Sequence, residues 1–60
     1  MKRCMWFDLF GTKVAVYYQE ATDTYLIYEL RPGKGKTLVA EADGLDPAAE
    51  AAMRYCYDQA

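Results

Sequence analysis

The sequence predicts an α+β domain, an antiparallel four-stranded β-meander followed by one C-terminal α-helix packed on one face (ββββα). Three observations lead there. Four runs rich in aromatic and β-branched residues are separated by short breaks containing Gly, Asp or Pro. A single alanine-rich run, with proline near its start, closes the chain. Sixty residues, 53% hydrophobic and 15% aromatic, suffice for one small core, so residues 1–60 form a single domain.

The first strand, Arg3 to Phe10, ends at Gly11-Thr12, where glycine suits the positive φ of a two-residue type II′ turn. That turn pairs Leu9 with Val14, Phe7 with Val16, Met5 with Tyr18 and Trp6 with Tyr17. The second strand, Lys13 to Glu20, and the third, Thr24 to Arg31, flank Ala21-Thr22-Asp23. A three-residue loop there sets Val14 opposite Leu30, Val16 opposite Tyr28 and Tyr18 opposite Leu26, all on one apolar face. After Arg31-Pro32-Gly33-Lys34-Gly35 comes a fourth strand, Lys36 to Ala42, in which Leu38/Ala40 and Val39 compete for the inner side.

The helix start reads as Asp46 at the N-cap with Pro47 at the first helical position and Glu50 near the positive end of the dipole. Ala48 to Gln59 is rich in helix formers, and Ala49, Ala52, Met53, Cys56 and Ala60 make a narrow stripe. Its alanines let the helix lie close to Phe7, Val16 and Tyr28.

One helix covers one side of a sheet. These registers leave Trp6, Tyr17, Tyr25 and Ile27 on the other side, an aromatic surface suited to contact with another molecule or to homodimerisation. Cross-strand aromatic pairing is the purely structural account of the same residues.

Charge is unevenly distributed. Residues 1–13 carry +2, 14–30 carry −3, 31–36 carry +3 and 37–60 carry −4, for a net −2. The stretch Glu41-Ala-Asp-Gly-Leu-Asp-Pro-Ala-Ala-Glu50 holds Glu41, Asp43, Asp46 and Glu50 and no cation. It serves as a solvated turn and helix cap, or as a set of spaced carboxylates that occupies a basic groove on a partner protein. It lacks the ligand spacing and terminal glutamate of a calcium loop, so no metal site is expected.

Catalysis has little to build on. Histidine and serine are both absent, which removes the usual nucleophile–base pairs, and no enzyme, cofactor or metal is expected. Gly35-Lys36-Thr37 ends like a phosphate-binding loop, but Leu30 stands where the first glycine belongs and Thr37 opens a strand. Nucleic-acid binding is the weaker alternative. Trp6, Tyr17 and Tyr25 edged by Lys13 and Arg31 outline a base-stacking platform, against an acidic balance and against Asp8 and Glu29 on the same face.

No run of about 18 apolar residues marks a membrane span. The N-terminus lacks the pattern of a signal peptide, and Cys4 and Cys56 read as free thiols of a reducing, cytoplasmic compartment, with a Cys4–Cys56 disulfide stapling the two ends as the alternative.

In size, acidity and ββββα economy the chain resembles small phage-encoded inhibitors of bacterial defence, in particular anti-CRISPR proteins. That resemblance implies inhibition by direct binding to a CRISPR effector subunit, through acidic mimicry of DNA. In βββα order it also resembles truncated HicB-like antitoxin domains, although Pro32-Gly33-Lys34 stands where those carry Pro-Gly-Cys. The expected function is a small protein-interaction module acting as an inhibitor.

Overall fold

A computed structural model describes all residues from 1 to 60. Its elements are β1 (Lys2–Leu9), β2 (Thr12–Gln19), β3 (Thr24–Arg31), β4 (Gly35–Ala42) and α1 (Leu45–Gln59). The strands form one antiparallel sheet in the order β1-β2-β3-β4, and α1 lies on one face. The expected ββββα meander is therefore the observed architecture. The result is a slab of 31 × 23 × 14 Å.

Each hairpin turn determines which side chains meet the helix. The β1–β2 turn is Phe10-Gly11, with φ of 54° and 78°. Two successive positive φ values mark a type I′ turn, whose twist matches that of the strands it joins. The expected turn was Gly11-Thr12, so the pairing moves by two residues. Phe7 meets Val14, Met5 meets Val16 and Trp6 meets Ala15. A shift of two keeps Met5, Phe7 and Leu9 on the helix side and Trp6 and Asp8 on the open side, while the bulge between Arg3 and Met5 turns Arg3 to the open side. Phe10 tolerates the left-handed conformation while its ring packs on Tyr57 of α1, with centroids 5.0 Å apart.

The β2–β3 connection corrects the expected register. The loop has four residues, Glu20 to Asp23, and Gln19 pairs with Thr24. Asp23 adopts a φ of 52°, donates its N–H to the Glu20 carbonyl at 3.2 Å and accepts the Tyr18 hydroxyl at 2.7 Å. The extra loop residue slips β3 by one position. Val14 now faces Glu29, Val16 faces Ile27 and Tyr18 faces Tyr25. Tyr25, Ile27 and Glu29 turn to the helix, and Leu26, Tyr28 and Leu30 turn away from it. Alternation could not settle this choice, because β3 is apolar at both parities, with Tyr25 and Ile27 at one and Leu26, Tyr28 and Leu30 at the other. Leu26 and Ile27 are both buried.

Pro32 and Gly33 form the β3–β4 turn, with the Lys34 N–H bonded to the Arg31 carbonyl at 3.0 Å. Gly33, at φ 73°, supplies the positive angle that a type II turn requires after proline. A bulge then resolves the competition in β4. Tyr28 pairs with Leu38 and Ile27 with Ala40, leaving Val39 as the extra residue. Val39, Ala40 and Ala42 pack towards the core, while Leu38 points outward.

Helix α1 is capped two residues earlier than expected. Gly44 is the N-cap, and its carbonyl accepts the first helical bond from the Ala48 N–H at 3.0 Å. Asp46 lies inside the first turn, where it faces the positive dipole end without capping it. Pro47 fits there because the first-turn N–H groups have no helical partner to lose. The buried stripe is Ala48, Ala52 and Cys56, flanked by Ala51 and Tyr55. Ala52 and Cys56 were expected on it. Met53 instead faces solvent, because the stripe is rotated towards Tyr55. Three small residues in line bring the helix close to Val14, Val16 and Ile27, which are fully buried.

Candidate binding surfaces

The corrected registers sort the charged side chains by face. The open sheet face carries Arg3, Lys13 and Lys36 against Asp8 and Glu41. Glu29 and Arg31, expected there, lie on the helix side instead. Glu29 is buried, accepts the Tyr55 hydroxyl at 2.7 Å and is bridged by the Arg31 guanidinium at 3.0 Å. The Arg31 bond, followed by the Tyr55 bond, holds the Glu29 carboxyl below the usual glutamate range. Donation to Glu29 raises the Tyr55 phenol, because a tyrosinate there would face a carboxylate. All three groups satisfy one another, so the cluster ties α1 to β3 and offers no free reactive group.

On the open face, Trp6 and Tyr17 lie where the sequence placed them. Tyr25 and Ile27 do not. Tyr25 packs beside Tyr18 on the helix side at 5.1 Å between centroids, and Ile27 is part of the core. Their places are taken by Leu26 and Tyr28, which the alternation pattern had put inside. Tyr28 meets Tyr17 edge-on at 5.4 Å, and the Lys36 ammonium sits 4.3 Å from the Tyr17 ring centre and 4.8 Å from that of Tyr28. The lysine of the phosphate-loop look-alike is thus folded onto two rings. Trp6 and Leu38 remain about half exposed on this face, with relative exposures of 54% and 45%.

The four predicted acidic residues are all exposed. Glu41 lies on β4 opposite Leu26, Asp43 follows in the connection, and Asp46 and Glu50 stand one helical turn apart on α1. Asp46, Pro47, Glu50, Ala51 and Arg54 line a shallow groove of about 470 Å³. Arg54 bridges Glu50 at 3.2 Å, an exposed pair that constrains little. The acids therefore wrap the β4 end of the sheet, with Glu41 on the open face and Asp46 and Glu50 on the helix beyond it.

No three His, Cys, Asp or Glu side chains converge on a point that could hold a metal ion. Cys4 is exposed at the β1 bulge between Arg3 and Met5, and Cys56 is buried under β2, so both are free thiols. Burial raises the Cys56 thiol above its ordinary range, which suits a packing role. No helix is long and apolar enough to cross a membrane. Set against known proteins, the chain matches no family, no curated protein and no solved structure.

Proposed function

We propose that this chain is a small protein-binding module whose acidic corner occupies a basic groove on a partner and blocks it. The observation that carries this reading is the run Glu41, Asp43, Asp46 and Glu50: four exposed carboxylates spread over a strand end and a helix start, accompanied by the single cation Arg54. Spaced carboxylates on a rigid frame present negative charge much as a phosphate backbone does, and complementary potentials speed and orient docking. The partner class is a protein whose groove otherwise holds nucleic acid, for which the resemblance to anti-CRISPR inhibitors suggests a CRISPR effector subunit.

The test is capture from bacterial lysate with the wild-type chain and with the variant carrying Glu41→Lys, Asp43→Lys, Asp46→Lys and Glu50→Lys. Mass spectrometry should identify a nucleic-acid-binding protein with wild type and lose it with the variant, while circular dichroism remains unchanged. Equal capture by both chains would refute the acidic surface.

A second reading is favoured by one observation. The actual register removes both Glu29 and Arg31 from the open face and brings Lys36 and Tyr28 onto it, leaving the cations Arg3, Lys13 and Lys36 against the acids Asp8 and Glu41. That is a better single-strand stacking surface than the expected one. Trp6 is the only tryptophan, so quenching on titration with a short single-stranded oligonucleotide at low salt reports it directly. A flat titration removes this reading.

A further inference from the structure

The outer edge of β4 is unpaired, since β4 ends the strand order. Such an edge presents a row of free N–H and C=O groups, which proteins usually guard with outward lysines or bulges. Here the strand's own lysine is not on guard, because Lys36 is folded onto Tyr17 and Tyr28, which leaves the Val39 bulge as the guard on this edge. Leu38, Val39, Ala40 and Glu41 line a shallow groove of about 320 Å³ along the strand, with Leu38 pointing outward. The charges along this edge are polarised. Lys34 and Lys36 stand at its start, and Glu41 and Asp43 at its end.

We propose that a second copy of this chain docks on the β4 edge, antiparallel, to form a two-fold dimer with one continuous sheet. An antiparallel copy sets the Lys34 end of each strand against the Glu41/Asp43 end of the other, so the edge is complementary to itself. A parallel copy would set like charges together. The strands meet near Leu38 and Val39, and Leu38 of each copy covers that of its neighbour. The two-fold axis runs perpendicular to the sheet, so both helices share one side and both open faces the other. This proposal draws on Glu41 and Asp43, which the acidic-corner reading also uses; Asp46 and Glu50 lie off the β4 edge on α1 and belong to that reading alone.

Sedimentation equilibrium over a range of concentrations tests it, with the expected species at twice 6.8 kDa. Asp43→Lys and Lys34→Glu should each weaken the dimer about tenfold, because the symmetry counts every altered contact twice. Mixing the two variants should restore association, since the lysine introduced at 43 then meets the glutamate introduced at 34, and the native Lys34 meets the native Asp43. Leu38→Lys should yield monomer with an unchanged far-ultraviolet spectrum. Three results would overturn the proposal: a monomer at every concentration, a dimer indifferent to these changes but broken by Trp6→Lys, or open-ended growth through β1 against β4. Failure of Asp46→Asn/Glu50→Gln to lose a captured partner bears on the acidic corner alone.

Discussion

The Tyr55 hydroxyl lies 2.7 Å from a carboxylate oxygen of Glu29, joining the middle of the helix to a central strand 26 residues away in sequence. The pair gives stability a defined pH window. The Glu29 carboxyl is depressed in the folded chain, so its contribution is complete above the unfolded value of about 4.3 and is lost as pH falls through the folded value. The Tyr55 phenol is raised, so its contribution is complete below about 10 and is lost as pH rises through the folded value. Tyr55→Phe should lower the denaturation midpoint most at neutral pH. Urea titrations at several pH values would disprove the linkage if wild type and variant differed equally at acid and neutral pH.

Turn chemistry gives a second expectation. Phe10 holds a left-handed φ of 54° that costs an ordinary residue about 1 kcal/mol. Phe10→Asn creates the favoured Asn-Gly turn but removes the contact with Tyr57, so in the wild-type background its gain and loss nearly cancel. In a Tyr57→Ala background the ring contact is already gone, and Phe10→Asn should stabilise by about 1 kcal/mol. Gly11→Ala should destabilise by a similar amount in both backgrounds. Chemical denaturation of the double-mutant cycle reads all four terms.

The register of β3 can be checked by contrast within one strand. Ile27 is fully buried against the helix, so Ile27→Ala should cost about 2–4 kcal/mol. A domain of this size has little more than that to lose. Leu30 is only half-buried on the open face, and Leu30→Ala should cost about 1 kcal/mol. The reverse order in thermal melts would restore the three-residue loop.

Lys36 makes the open face self-contained. Lys36→Gln keeps a polar side chain one atom shorter and removes the cation over Tyr17 and Tyr28, at a cost of about 0.5–1 kcal/mol. If single-stranded nucleic acid binds this face by stacking, the same change frees the rings and lessens the salt dependence of binding. A variant whose stability matches wild type would show that the lysine contributes nothing there.

The number of elements, their order and their type were legible because each break carried a residue with a physical reason to turn the chain. Gly11, Asp23 and Gly33 are all in left-handed backbone. The β1 faces were legible too, since Met5, Phe7 and Leu9 alternate strictly with Cys4, Trp6 and Asp8. The parity of β3 was not. With Leu26 and Ile27 both buried, only the length of the Glu20–Asp23 loop distinguishes the two faces, and propensity does not resolve three residues from four. That single residue moved Tyr25 and Ile27 from the candidate surface into the core side and brought Tyr28 out. Glu41, Asp43, Asp46 and Glu50 are exposed, as charged side chains on a strand end and a helix start usually are. The β4 bulge was foreshadowed by the unresolved competition between Val39 and its neighbours.

A slab 14 Å thick has no second shell of interior behind its core. β2 and β3 are bonded on both sides, and the helix rests on the same three side chains, Val14, Val16 and Ile27. Their amides should therefore exchange with solvent only when the whole chain opens, as one cooperative unit. Any molecule that favours the folded form then slows all of these amides by a common factor, wherever it docks. Deuterium uptake in β2 and β3 can thus reveal a binding partner before its site of attachment is known.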